Sequence, residues 1–232
     1  MEKIRLYTEE ALLQNMNLVL NLRQSHYICN VMRLKEQDNI FFFNGKDGEW
    51  LGEISEISRK SVQVRLKECI HEQQYEENLY LYCAMIKSAA LSNVIRQATE
   101  MGVTCIQFIS TEHTVVKNVN LDRAKLQTIE AAEQSGRINV PEILPPVNFY
   151  DLPDSQNKNF VLCDETGKGQ SPNEALKGKK NVALIVGPEG GFSSDELNFA
   201  DKFCQKLSLG KRILRVDTAV VAALAYANML IK

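Results

Sequence analysis

From Leu79 to Ile231 the chain alternates short, continuously apolar runs with helical segments, and that alternation leaves few folds open. The runs are LYLYCAMI (79–86), CIQFIS (105–110), NFVLCD (159–164), NVALIVG (181–187) and KLSLG (206–210). Between and after them stand LSNVIRQATEMG (91–102), LDRAKLQTIEAAEQSG (121–136), a short helix opening Ser171-Pro172-Asn173-Glu174, SSDELNFADKFC (193–204) and TAVVAALAYANMLI (218–231). Strands apolar on both faces and separated by helices predict a mostly parallel sheet, an α/β domain. Gly102 and Gly136 stand where two of these helices should stop, and Asn120 where one should be capped.

The first third has a different texture. DNIFFFNGKDGEWLGEISEI (38–57) holds two strand-like runs around a Gly-Lys-Asp-Gly turn, and Val62, Val64 and Leu66 alternate with polar residues in SVQVRLKECI (61–70). A small antiparallel barrel would close such short strands. SHYICNVMRLK (25–35) breaks the pattern with apolar residues at helical spacing, and the polar stretch HEQQYEEN (71–78) reads as a linker. The expected domains are 1–72 and 73–232.

Composition excludes several function classes. The formal net charge of −2 gives no global positive field, so nucleic-acid binding would need a local patch. Residues 1–75 carry nearly equal numbers of basic and acidic side chains. None of the six cysteines falls in a C-x-x-C pair, which argues against a zinc site or a disulfide framework and for buried free thiols in a reducing cytosol. The charged N-terminus lacks a signal peptide's apolar core, and the apolar stretch 219–231 is too short to span a bilayer. A soluble, cytoplasmic protein with no metal is the expectation.

The chemistry concentrates at strand ends. Ligands of open α/β sheets bind beyond the carboxyl ends of strands. There LIVGPEGGFS (184–193) places three glycines, a proline and a carboxylate before the capping box Ser193-Ser194-Asp195-Glu196. Neither G-x-G-x-x-G nor a Walker loop is present, and TGKGQS (166–171) has Gly169 where Ser or Thr is required, so it reads as a solvated turn. The next strand end, LGKRILRVDTA (209–219), is basic. One acidic, glycine-rich loop beside one basic loop makes a ligand crevice.

GPEGGFS followed by LGKRILRVDTA closely resembles the RsmE family of SPOUT-class RNA methyltransferases. RLY (5–7) and HYICNVMRLK (26–35) are similar to that family's PUA-like N-terminal barrel, and QATEMGV (97–103) and AAEQSGR (131–137) to its other internal motifs. Asp217 stands where the family usually carries glutamate. The resemblance implies a PUA-like RNA-binding barrel and an α/β domain with a deep trefoil knot. It also implies bound S-adenosylmethionine, methylation of a uridine N3 in 16S rRNA of the small ribosomal subunit, and a homodimer whose partner completes the active site.

Roles follow on that basis. Leu209, Gly210, Ile213 and Leu214 can offer an apolar slot with backbone donors and acceptors for adenine. Gly187, Pro188 and Gly190 form the facing wall, and Leu162 to Asp164, at the end of another strand, a third. Glu189 bonds a ribose hydroxyl, offsets the sulfonium charge, or is a solvated loop carboxylate. Uridine N3 is a weak acid, and a guanidinium suits the charge left on the neighbouring carbonyl oxygens. Arg215 is the catalytic candidate, with Arg137 and Arg212 as alternatives or phosphate contacts. Arg5, Arg23, Arg33, Lys35 and Arg212 are candidate RNA contacts, and Tyr27 is a stacking platform or a core residue. Glu133 and Gln134 touch the base or belong to a helix face. The helix 218–231, apolar on nearly every side, should be buried all round. Two other functions compete: RNA binding without catalysis, and a nucleotide-utilising metabolic enzyme.

Overall fold

The structure, a computed structural model, describes residues 3–58, 61–154 and 157–231. It divides into two compact units, one running to Tyr75 and taking in Ala132–Val140, the other holding Glu76–Ala131 and Pro141 onward.

The N-terminal unit is built on β1 (Arg5–Tyr7), β2 (Asn17–Val19), β3 (Asn39–Phe43), β4 (Glu49–Ile57) and β5 (Val62–His71), in the sheet order β1-β3-β4-β5-β2. Val62, Val64 and Leu66 are fully buried with Ile28, Ile40 and Phe42, as the alternation predicts. The expected all-antiparallel barrel needs correction, because β1 pairs with β3 in parallel. Antiparallel neighbours can be joined by a hairpin, but β1 and β3 are separated by β2 and a helical excursion long enough to bring the chain back to the same end. That excursion is α1 (Leu22–His26), capped by Asn21, running into a π-helical turn at Tyr27–Val31. The strand β5 takes up the first residue of the expected linker, and Gln73 bonds Asn139 at 2.6 Å.

Among the described residues the second unit carries six parallel strands: β6 (Leu79–Ala84), β7 (Cys105–Ser110), β8 (Glu142–Asn148), β9 (Asn159–Asp164), β10 (Val182–Val186) and β11 (Gln205–Ser208). Their order is β11-β9-β10-β6-β7-β8, and every pairing is parallel. Side chains alternate between two buried faces. Val161, Cys163, Leu184 and Val186 pack with α2 (Ser88–Glu100) and α6 (Val216–Leu230). Phe160, Leu162, Ala183 and Ile185 pack on the other face with Phe149 and α5 (Ser194–Ala200).

The helix ends behave as the sequence says. The Gly102 and Val103 amides bond back to Thr99 and Ala98 with Gly102 at φ +86°, the pattern of a Schellman stop. Asn120 accepts from the Arg123 amide at 2.9 Å to start α3 (Leu121–Ser135). α4 (Pro172–Leu176) opens on Ser171, whose amide and hydroxyl both donate to the Glu174 carboxylate.

Some cysteines depart from the expected burial, and the single chain does not by itself cover α6 all round. Helix α6 buries Val216, Ala219, Val220, Ala223, Leu224 and Ala227, but Tyr226 and Met229 are 38% and 75% exposed, so one side is uncovered in the single chain. Of the cysteines, Cys83, Cys105 and Cys163 are buried, while Cys29 and Cys204 are half-buried and Cys69 is exposed.

Candidate active site

Three adjacent strands, β11, β9 and β10, end at one edge, and a cleft of about 320 Å³ opens beyond their carboxyl ends. That lies within the usual range for small-molecule sites. Strand β9 supplies Cys163 and Asp164, followed by Glu165; the β10 loop supplies Gly187, Pro188, Glu189, Gly191 and Phe192. The β11 loop supplies Leu209, Gly210, Arg212, Ile213, Leu214 and Arg215, and α6 closes the floor with Val216 and Ala219.

The β10 loop is held by its own turn, in which the Gly191 amide bonds the Pro188 carbonyl at 3.0 Å. Ser193 and Glu196 then complete the expected capping box of α5. Each glycine answers to a neighbour. A Cβ on Gly187 would stand 2.7 Å from the Phe192 ring, so this glycine clears an aromatic rather than a ligand. A Cβ on Gly190 would lie 3.1 Å from that of His113, and one on Gly191 would collide with the Glu165 carboxylate. Gly191 also sits at φ +70°, a region other L residues rarely adopt. Gly210, at φ +114°, has nothing near its missing side chain and faces open space.

Two of the expected wall residues lie elsewhere. Leu162 is fully buried on the opposite face of the sheet, because successive strand residues alternate sides; Cys163 and Asp164 of the same expected wall do line the cleft. Gly190 turns toward His113 and does not line the cleft. Leu209, Gly210, Ile213, Leu214, Gly187, Pro188 and Glu189 do line it, together with Arg212 and Arg215.

The electrostatics are mixed. Among the described residues no hydrogen bond or ion pair holds the side chain of Arg212, Arg215, Glu165 or Glu189. Asp164 is spent locally: one carboxylate oxygen accepts from the Thr166 amide at 2.9 Å and the other from its hydroxyl at 2.8 Å. Burial pushes the Cys163 thiol up to about 12, so it faces the cleft as a neutral group. Burial, with help from Glu189 and Cys163, does the same to Cys83, also to about 12. Ile213 is 82% exposed, an apolar side chain held out to solvent at the cleft's rim. Asp217 sits in the first turn of α6, where its carboxylate favours the helix N-terminus, but the cap residue itself is Arg215.

The remaining arginine candidates belong to the N-terminal unit. Arg5 is corrected from an RNA contact to a buried strut: its Nε bonds Glu49, and its terminal nitrogens donate to the carbonyls of Ala132, Glu133 and Arg137. A guanidinium occupied in this way has no face left for phosphate. Burial alone would raise the Glu49 carboxyl, but hydrogen bonds and charge from Lys3 and Arg5 hold it below its ordinary value. Arg137 is buried in this unit and does not line the cleft. Glu133 accepts from the Tyr7 amide, which favours its structural reading. Arg23, Arg33 and Lys35 are exposed along residues 22–35, and Tyr27 is 39% exposed rather than in the core.

Missed by sequence reasoning are Glu165, Phe192 and His113. The first two lie in or beside the strand-end motifs, and strand alternation separates Cys163, which lines the cleft, from Leu162, which does not. His113 comes from a loop far away in sequence, and nothing local signals its destination.

Residues 73–228 match a family model described as an RNA methyltransferase domain, and residues 20–67 one described as an RNA methyltransferase PUA domain. The ribosomal RNA small subunit methyltransferase E of Rickettsia conorii is 34% identical over 97% of this chain and 95% of its own length. Among solved structures, a Legionella pneumophila methyltransferase in complex with bound cofactor SAM has a TM-score of 0.90 at 27% identity, covering 99% of this chain and 98% of the other. A Neisseria gonorrhoeae ribosomal RNA small subunit methyltransferase E bound to S-adenosyl methionine has a TM-score of 0.87 at 25% identity, covering 98% of each chain.

Proposed function

Because the chain belongs to the ribosomal RNA small subunit methyltransferase E family, we propose that its cleft holds S-adenosylmethionine and that it methylates N3 of a uridine in 16S rRNA. The protein is an S-adenosylmethionine-dependent rRNA methyltransferase with a PUA-like N-terminal domain and a SPOUT-type α/β domain. The observation that carries the site assignment is the cleft at three parallel strand ends, where an exposed Ile213 and two unpartnered arginines meet.

The residues fit that cofactor. Leu209, Leu214, Ile213 and the open face of Gly210 make an apolar slot of nucleoside character. Glu189 and Glu165 offer carboxylates for hydroxyls and for positive charge. The cofactor supplies an electrophilic methyl group on a sulfonium. Transfer to N3 requires loss of the N3 proton, which leaves negative charge on the two flanking carbonyl oxygens. The Arg215 guanidinium, with two parallel donors, is suited to that charge. Arg212 is the phosphate contact or the alternative. No histidine of the two cleft loops offers a general base.

Residues 1–72 serve as the RNA-binding barrel, with Arg23, Arg33 and Lys35 as contacts, and residues 73–232 as the catalytic domain. The chain carries the deep trefoil knot of its class and acts in the cytoplasm on the small ribosomal subunit. No helix among the described residues is long and apolar enough to cross a membrane. It works as a homodimer, a reading supported by the uncovered side of α6. RNA binding without catalysis is not favoured, since the named relatives are methyltransferases and two solved neighbours hold the cofactor.

The test is nucleoside mass spectrometry of 16S rRNA after small subunits from a strain lacking the modification are incubated with protein and S-adenosylmethionine. One 3-methyluridine per 16S rRNA is expected. Methylation of another base, or none, would overturn the reading.

A further inference from the structure

Strand β7 ends at Ser110, and the chain then makes a tight turn closed by its own threonines. The Thr111 amide donates to the Thr114 hydroxyl at 2.9 Å, and the Thr114 amide to the Thr111 carbonyl at 3.1 Å. This turn presents two groups to the β10 loop. The Glu112 amide donates to the fully buried Glu196 carboxylate at 2.8 Å, the same carboxylate that caps α5 through the Ser193 amide. His113 Nδ1 lies 3.0 Å from the Gly190 carbonyl and 3.1 Å from that of Gly191. Carbonyl oxygens only accept, so Nδ1 carries the hydrogen and donates to both.

We infer that His113 is a positioning residue for the cofactor wall, holding the Gly190–Gly191 turn through its Nδ1 hydrogen. The inference rests on the cleft being the S-adenosylmethionine site. The two carbonyls it grips belong to the back of the loop whose front, Pro188, Glu189 and Gly191, lines the cleft. Gly190 is a glycine for the same reason, since a side chain there would press on His113 at 3.1 Å. With the Nδ1 bond in place the turn needs no ordering when ligand arrives. Without it, Pro188 to Gly191 are held by the turn's single amide bond and by the Glu196 cap beyond them. Preorganisation of this kind shows as ligand affinity rather than as a change in the chemical step.

The experiment compares S-adenosylmethionine affinity by calorimetry for wild type, His113→Ala, His113→Asn and His113→Gln, with thermal transitions as folding controls. An Asn amide nitrogen occupies nearly the place of Nδ1, whereas a Gln amide nitrogen occupies that of Nε2. His113→Ala and His113→Gln should bind about five- to tenfold more weakly, as expected for one lost hydrogen bond. His113→Asn should stay within about twofold of wild type, on the same argument. Single-turnover rates at saturating cofactor should be unchanged in all three. Affinity of folded His113→Ala equal to wild type would overturn the inference. So would Asn and Gln variants as weak as Ala, because position along the side chain would then not matter. A wild-type protein that binds no S-adenosylmethionine would sink the cofactor reading, and this inference with it.

Discussion

Arg215 is the last residue before α6 and lines the cleft, with no hydrogen bond or ion pair to its side chain among the described residues. If it stabilises the uracil oxygens during transfer, its removal should appear in the chemical step and not in cofactor affinity. Arg215→Ala should cost about 2–4 kcal/mol, roughly 30- to 1000-fold in single-turnover methylation of small subunits, the range for losing one transition-state donor. Arg215→Lys should recover only part, since a point charge lacks the parallel donors. A folded Arg215→Ala protein that methylates at the normal rate would remove the role, and Arg212 would be tested next. At this scale the sequence was legible where a motif is local. Residues 187–189 and 209–215 could be read because glycine, proline and charge crowd two strand ends. Of the third wall, Cys163 and Asp164 line the cleft, while the two-residue alternation of the strand sends Leu162 to the opposite face. From the sequence Arg5 reads as an RNA contact, whereas three carbonyls and Glu49 surround it in the fold. Burying a guanidinium demands such partners, and no one-dimensional pattern reveals them.

Among the elements, α6 carries the clearest consequence. It is apolar on nearly all sides, yet Tyr226 and Met229 stand exposed, with Val221, Ala222 and Ala225 half-buried beside them. A second copy of the chain covering this side would remove the discrepancy. Sedimentation at micromolar concentration should therefore give a dimer, and Met229→Glu, which places a charge at an exposed position, should shift it toward monomer without lowering the free chain's thermal transition by more than a few degrees. A wild-type monomer would contradict the proposal. The elements that the alternation of apolar runs foretold were the interior strands β6, β7, β9 and β10 and the edge strand β11, whose Leu207 is buried. β8 escaped because EILPPVN carries Pro145 and Pro146, which read as a loop. Prolines are tolerated there since β8 is the sheet's edge and lacks a neighbour on one side. The parallel β1–β3 pair escaped because strand patterning gives faces, not directions.

For the whole molecule, a net charge of −2 means that recognition of RNA rests on local features rather than on a global field. Of the candidate contacts, Arg23, Arg33 and Lys35 on one unit and Arg212 and Arg215 on the other are exposed. The division of the chain was only partly legible. The polar stretch at 71–78 marks the change of texture, but nothing in the sequence says that Ala132–Val140 packs into the N-terminal unit. The central claim is that the cleft beyond β9, β10 and β11 is where S-adenosylmethionine binds. Ile213 tests it most directly, because its side chain is 82% exposed and contributes little to the folded chain by itself. A ligand that covers it should gain about 1.5 kcal/mol or more from that burial. Titration calorimetry of S-adenosylmethionine into Ile213→Ser should therefore show affinity reduced by about tenfold or more, with the thermal transition of the free protein unchanged. Wild-type affinity in the Ile213→Ser protein would contradict the account.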